Sequence, residues 1–433
     1  MVEKTSRLTG FYKLSVEERL RLVSEWSGLS REEVELLGNF GNLPVKIADS
    51  MIENVIGAMS YPFAVAVNFR INGRDYLVPM VIEETSVVAA ASNAAKMLRE
   101  GDGISASAGP QEMIGQIHVV KVNSPYEKAS EIIKLKNELL ETAKQADPVL
   151  VKYGGGPRDI EVRVFENTPI GNVLIIHLIV DVVDAMGANA VNTMVEALAP
   201  QIEKITGGEA RLRILSNYAT RRIVRAWCRT HVDNVGGREV AEKIFEASVL
   251  AEIDPYRAVT HNKGIMNGII AVALATGQDH RAIEAGAHAY ACRTGVYRPL
   301  SIWRLDGDYL TGYLELPLQV GTVGGAVKVH PIAKIALKIL GVQTAKELAE
   351  IMAAVGLAQN LAALRALVTE GIQKGHMRLH AKNLAIMAGA TGDLIDIVAE
   401  RMVKDGLIRY DYAKKLVDEY RSKGGWNSSG ERV

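Results

Sequence analysis

Apolar periodicity divides the chain into helical ends around strand-rich stretches. Ser15-Val-Glu-Glu18 and Ser30-Arg-Glu-Glu33 are capping boxes, each ahead of a run with helical spacing, and predict two short helices. Ile47–Ile56 predicts a third, with Glu53 set among apolar residues. Phe63–Ile71 and Asp75–Ile82 are β-rich runs separated by Asn72-Gly73, the pair that tight hairpin turns favour. An alanine-rich helix follows over Ser86–Arg99 and stops at Gly101. From Glu112 the pattern reads strand Met113–Val122, helix Tyr126–Ala146, strand Ile160–Phe165, strand Val173–Val183, helix Ala190–Ile205 and strand Arg211–Leu215. That β-α-β-β-α-β order predicts a ferredoxin-like unit inserted into a larger one. Farther on, Asp279–Arg293 reads as a helix, and Pro299–Arg304 with Tyr309–Gln319 as a hairpin around Asp306-Gly307. Another helix starts at Pro331. From Ala345 nearly everything is helical, punctuated by Gly341, Gly356, Gly371, Gly375, Gly389 and Gly392. The expected class is α+β, with a discontinuous large mixed α/β domain (1–110 and 216–374), an inserted domain (111–215) and a helical C-terminal segment (375–433).

Composition narrows the partners. A length of 433 residues allows two or three domains, each with its own core. Fifty acidic and fifty basic residues leave no formal net charge, so neither nucleic acid nor an anionic membrane is the expected partner. Arg211, Arg213, Arg221, Arg222, Arg225 and Arg229 form a local basic run without interleaved stacking aromatics, which reads as a solvated or subunit-facing helix. Cys228 and Cys292 are the two cysteines, which fits a reducing cytosol and hence a cytoplasmic protein. Met1 through Lys4 and Arg7 leads into polar sequence unlike a signal peptide. Val173–Val183, interrupted by His177 and Asp181, is too short to cross a bilayer as a helix.

The chemistry gathers around Asp254-Pro-Tyr-Arg257 and His261-Asn-Lys-Gly-Ile-Met-Asn-Gly268. Lys263 among glycines and apolar residues suggests a buried ammonium, which needs a partner because an unpaired charge out of water is costly. Asp279, sixteen positions on, is the nearest downstream candidate. A cation so held suits a polarised carbonyl, as in a reductase of acyl groups. The alternative is a solvated lysine at a helix start, with Asp279 capping the next helix. Asp184-Ala-Met-Gly-Ala-Asn189 ends a strand and opens a helix, where backbone amides beside Gly187 suit a pyrophosphate. No GxGxxG follows a strand, so a Rossmann site is not expected, and Gly154-Gly155-Gly156 reads as a loop. Gly321-Thr-Val-Gly-Gly325 is turn chemistry, with phosphate contact as the alternative. Glu83-Glu84 lies where carboxylates favour the positive end of a helix. His376 and His380, four apart, would need a third ligand for a metal, and none is signalled.

Taken in order, MIENVIG (Met51–Gly57), EETSVVAAAS (Glu83–Ser92), DAMGAN (Asp184–Asn189), DPYRAVTHNKGIMNG (Asp254–Gly268), EAGAHAYA (Glu284–Ala291) and GHMRLHA (Gly375–Ala381) make the chain similar to the class II family of 3-hydroxy-3-methylglutaryl-CoA (HMG-CoA) reductases. The resemblance implies two successive hydride transfers that convert HMG-CoA to mevalonate and free CoA with two NAD(P)H, or the reverse, without release of mevaldehyde. It assigns catalysis to Glu84, which must carry a proton, and to Lys263, Asp279 and His376. Glu53, Ser86, Asn217, Arg257 and Asn267 are assigned to substrate. Asp147, Asp184, Met186, Gly187 and Asn189 are assigned to a non-Rossmann nicotinamide site in the inserted domain. Asp147, near the adenosine ribose, implies NADH as preferred cofactor with NADPH possible. The large domain would bind HMG-CoA, the basic run would offer contacts to CoA phosphates, and the C-terminal helices would form a flap. A homodimer with shared active sites is implied, and higher oligomers stay open. Thr85 departs from the family's usual proline, and Gln278 from its usual asparagine. An acyl-CoA hydrolase using His376, Glu84 and Lys263 without a dinucleotide, and a CoA-binding protein without catalysis, are the competing readings.

Overall fold

Both capping boxes form. Ser15 and Ser30 accept the N–H of Glu18 and Glu33, whose side chains return the bond, opening α1 (Val16–Ser27) and α2 (Arg31–Gly38). The structure is a computed structural model describing residues 5–39, 43–369 and 372–422, the side chains of 372–379 excepted. Helix α3 (Val45–Met51) is shorter than the expected Ile47–Ile56. Asn54 takes a left-handed conformation (φ 59°), which a right-handed helix cannot continue through, so Glu53 sits in an exposed non-helical stretch.

The Asn72-Gly73 turn joins β1 (Phe63–Ile71) to β2 (Arg74–Val81) as an antiparallel hairpin, with both turn residues at positive φ. Helix α4 (Val87–Arg99) follows, and then β3 (Ile104–Ala108), a strand too short to stand out by periodicity. The chain next builds a second sheet from β4 (Glu112–Val120), α5 (Pro125–Lys134), α6 (Lys136–Ala146), α7 (Pro148–Lys152), β5 (Gly156–Thr168), β6 (Gly171–Asp181), α8 (Ala188–Thr206) and β7 (Glu209–Leu215). The expected single helix over Tyr126–Ala146 is two, broken at Leu135. The strands run β5-β6-β4-β7, all antiparallel, the ferredoxin-like order. Met113, Ile117, Leu174, Ile176, Leu178, Met194 and Leu198 belong to their core.

The chain returns to the first sheet at β8 (Ile223–His231), which pairs with β3. This corrects the reading of the arginine run as a helix. Arg211 and Arg213 lie on β7, Arg225 and Arg229 on β8. Along β8, Val224, Ala226, Cys228 and Thr230 point inward while Arg225, Trp227 and Arg229 point outward, a period of two. After α9 (Val232–Val235), α10 (Arg238–Ile253), α11 (Pro255–Ala275) and α12 (His280–Ala291), the hairpin β9 (Ser301–Asp306) and β10 (Tyr309–Pro317) completes a six-stranded sheet ordered β2-β1-β3-β8-β10-β9. The remaining helices are α13 (Gly325–Val329), α14 (Pro331–Leu340), α15 (Ala345–Val368), α16 (Ile372–Met387), α17 (Leu394–Asp405) and α18 (Tyr410–Ser422). The last three share their own core, which includes Leu394, Val398, Met402 and Val417.

Helix α15 is, among the described residues, the one helix long and apolar enough to cross a bilayer, yet most of it is buried against α4, α10, α11, β3 and β8. Its contact with α11 depends on missing side chains. A Cβ on Gly268 would lie 3.0 Å from Gln359 Cβ and 3.2 Å from the Val355 carbonyl oxygen, and one on Gly356 would lie 2.8 Å from Ile269 Cδ1. Gly268, beside Asn267, and Gly356 therefore let the two helices approach closely. Gly268→Val should destabilise the protein by about 2 kcal/mol or more through overpacking against α15, read as a lower midpoint in urea unfolding.

Candidate active site

Helix α11 begins where Asp254 caps it, its carboxylate accepting the N–H groups of Tyr256 and Arg257. Lys263 stands mid-helix and 58 % exposed, and its Nζ donates to Glu84 Oε2 at 2.9 Å. The expectation of a buried ammonium paired with Asp279 is corrected for the single chain. About 18 Å of helix separates Lys263 from Ala275, and Asp279 lies beyond that end. There the Asp279 carboxylate caps α12 by accepting Ala282 N–H at 3.1 Å, with Arg281 at 3.4 Å.

Around the Lys263–Glu84 pair, Asn267 follows one turn along on the same helix face. Ser86 caps α4 at φ 74° with no side-chain cap bond, a strained conformation for a serine and one common at ligand sites. Arg257 is half-buried, and burial holds its guanidinium below the usual arginine range. Among the described residues no ion pair joins it to Glu53. Asn217 is exposed in the return crossing, its carbonyl accepting from Gln319 at 3.1 Å. His376 belongs to α16, but its side chain lies outside the described residues.

The cofactor candidates gather elsewhere. A cavity of about 2000 Å³ is lined by Asp147, Met186, Gly187, Asn189, Gly324 and Asp279, among others. Gly187 opens α8 at φ 97° with no side-chain cap, and a Cβ there would lie 2.4 Å from Val182 Cγ1. The first turn of α8 thus offers uncapped amides to the cavity, a fit for a pyrophosphate. Val183, a β-branched residue at φ 52°, carries the strain of this turn. Asp147 borders the cavity while its Oδ1 accepts Leu150 N–H at 2.9 Å. Asp184 Oδ1 is turned to the start of α15 and accepts Ala345 N–H at 2.8 Å. Asp184 holds the turn in place.

Sequence reasoning missed two supports. Arg222 is 1 % exposed and donates to the carbonyls of Ala185 (3.2 Å), Met186 (3.3 Å) and Val320 (2.7 Å) and to Gln111. Its signal was an arginine directly ahead of an alternating strand. His261, on α11, is buried, with Nε2 at 2.7 Å from Ser301 Oγ. The Ser301 hydroxyl donates to Asn360 Oδ1 at 2.9 Å, so its oxygen accepts from His261. Trp303 Nε1 reaches the same Asn360 oxygen at 2.7 Å. Helix α11 is thereby tied to β9 and α15.

Comparison with known proteins gives a consistent picture. The family model described as hydroxymethylglutaryl-coenzyme A reductase matches residues 15–381. A 3-hydroxy-3-methylglutaryl-coenzyme A reductase of Archaeoglobus fulgidus is 58 % identical over 419 residues, covering 96 % of this chain and 95 % of the relative. A probable enzyme of the same description from Borreliella burgdorferi is 34 % identical over 430 residues, covering 96 % and 97 %. The solved 3-hydroxy-3-methylglutaryl-coenzyme A reductase from Streptococcus pneumoniae superposes with a TM-score of 0.82 at 43 % identity, covering 95 % of this chain and 99 % of that one. The class II enzyme from the same organism, bound to NADPH in open conformations, gives 0.81 at 45 % identity, covering 83 % and 99 %.

Burial, and then the charge of Arg257, push the His261 imidazole down to about 3 from 6.5. Between those values the unfolded chain binds a proton that the folded chain does not, so stability falls as pH drops below about 6.5. His261→Gln should flatten the pH dependence of unfolding free energy between pH 4 and 6.5 by about 1.4 kcal/mol per pH unit, measured by chemical denaturation.

Proposed function

Because this chain belongs to the hydroxymethylglutaryl-coenzyme A reductase family, reduction of HMG-CoA to mevalonate is the reaction its site serves, and we propose how its residues divide the work. The observation that carries the proposal is the exposed Lys263–Glu84 ion pair, set apart from Asp279 and the α8 cavity by the second half of α11. On one chain these are two half-sites. A second copy that presents its Asp279 and cavity to the first copy's Lys263 completes both at once. The exposed apolar stretch that contains Glu53, with Ile52, Ile56 and Met59, supports burial against such a partner.

In this reading the Lys263 ammonium meets the negative charge that builds on the thioester oxygen, a preorganised stabilisation of the kind that usually contributes most to catalysis. Asp279 of the second copy holds that ammonium. Glu84, which accepts a hydrogen bond from Lys263, must first take up a proton, and it then delivers that proton to the aldehyde oxygen in the second reduction. Arg257, with no side-chain partner among the described residues, clamps the substrate carboxylate, and Asn267, Ser86, Asn217 and Glu53 position the rest. His376 protonates the departing CoA thiolate, which would otherwise re-attack the aldehyde. The last three helices, with their separate core, act as the flap that excludes water.

The nicotinamide cofactor supplies hydride. Met186, Gly187 and Asn189 at the start of α8 would hold its pyrophosphate and Asp147 its adenosine ribose. A carboxylate at Asp147 accepts ribose hydroxyls and repels a 2′-phosphate, which favours NADH. Either nucleotide fits the family's reaction, and the solved pneumococcal relative carries NADPH.

Two experiments test the proposal. Addition of HMG-CoA should deplete nicotinamide absorbance with a higher kcat/KM for NADH than for NADPH, and an equal or reversed ratio refutes the role of Asp147. Lys263→Ala and Asp279→Asn homodimers should each be inactive. After subunit exchange, half the dimers are mixed and each has one intact site, so activity should return to about a quarter of wild type; no recovery refutes the shared site.

A further inference from the structure

Gln278 lies in the turn between α11 and α12. Its side-chain amide is buried and fully engaged. Oε1 accepts Gly321 N–H at 2.8 Å, and Nε2 donates to the carbonyls of Gly321 at 2.9 Å and Thr276 at 3.0 Å. The pairing with Gly321 is reciprocal, as between two strands.

Gly321 in turn lies directly on the cofactor turn. A Cβ there would be 2.6 Å from Met186 N and 2.9 Å from the Ala185 carbonyl carbon. The next two residues extend the contact, with Thr322 N–H and Val323 N–H reaching the Asp184 carbonyl at 2.9 and 3.3 Å, and Val323 bridging Ala185 in parallel. From the other side Arg222 grips the Ala185, Met186 and Val320 carbonyls. A continuous chain of short contacts therefore runs from Asp279 through Gln278 and Gly321 to the turn that ends at Gly187.

We propose that Gln278 is a positioning residue whose amide straps the Asp279 turn to the turn at residues 184–187, so that the carboxylate and the cofactor site keep one fixed spacing. This rests on the assignment of those two elements given above. With both amide hydrogens committed to protein carbonyls, Gln278 acts through the backbone of Gly321. Asparagine, shorter by roughly one C–C bond of about 1.5 Å, could keep one of the two Gly321 bonds but not both without moving the loop.

The test uses the full chain with Gln278→Ala and Gln278→Asn. In the ligand-free protein, amide exchange across residues 184–190 should accelerate in the alanine variant and less so in the asparagine variant. The Kd for NADH, measured by fluorescence without HMG-CoA, should rise about tenfold in Gln278→Ala, as expected for the loss of a buried hydrogen-bonded pair, and about threefold in Gln278→Asn. The KM for HMG-CoA should stay within twofold. Unchanged exchange at 184–190 and unchanged NADH affinity in both variants, with only a lower melting temperature, would overturn the proposal. Faster exchange separates the strap from the cofactor assignment, because it needs no ligand, whereas failure of wild type itself to bind NADH or NADPH strikes the assignment. A poorly folded alanine variant leaves the asparagine variant to decide between the two outcomes.

Discussion

Helix α11 is a rod whose length constrains everything around it. Its 21 residues carry Arg257, Lys263 and Asn267 in their first two thirds and hand the chain to Gln278 and Asp279 at the far end. An α-helix rises about 1.5 Å per residue, so no side-chain rotation brings the two groups together within one chain. A rod can serve as a ruler only if it does not slide. Gly268 and Gly356 let α15 pack tightly against it, while His261 and Asn262 tie it to β9 and to the 298–300 segment through hydrogen bonds. These bonds are specific in direction as well as in distance, so they set rotation about the helix axis along with axial position. Lys263 consequently faces Glu84 and leaves its exposed side toward solvent.

The same economy appears in how strain is distributed. Ser86 and Val183 are held at positive φ where each introduces a helix, α4 beside Glu84 and α8 beside the cavity. Such conformations persist only where the surroundings over-determine them. For Val183 the surroundings include the Asp181 carboxylate, which accepts its N–H at 3.0 Å, and the Asp184 carboxylate anchored on α15. Asp184 shows how a residue of this motif supports the turn from within. Its side chain fixes the turn so that the next residues can present backbone.

Local rules made much of this visible in the amino-acid order. The two capping boxes, the Asn72-Gly73 hairpin and the β-α-β-β-α-β unit each rest on interactions between neighbours, and each formed where expected. The failures have several origins, local at the Asn54 and Leu135 breaks and long-range at β3. β3 is defined by pairing with β8 across more than a hundred positions, and five residues carry too little periodicity to announce that. The arginines of β8 hid its alternation because an outward row of charge looks the same on a strand as on a helix when counted without regard to spacing. For the site, motifs located Glu84, Lys263 and the α8 turn. They could not show that Asp279 lies beyond the far end of the rod on whose middle Lys263 stands, since sixteen positions in sequence fit a near or a far placement equally well until the intervening residues are known to be helical.

The far placement has a mechanistic consequence. An ammonium buried permanently beside a carboxylate inside one chain would lose much of its ability to respond to new charge on a substrate, because its partner would already be close and fixed. In this chain the lysine is solvated and paired with the carboxyl group assigned to move a proton. Closing a second half-site over it would remove water at the moment substrate is enclosed, and the lysine would pass from a high to a low effective dielectric. Coulomb interactions strengthen in proportion as that dielectric falls. On the proposed assembly, the exposed pair would be the resting form of a group whose electrostatic strength is generated by closure around it, and the length of α11 and the spacing proposed for Gln278 would matter as much as the reacting groups themselves.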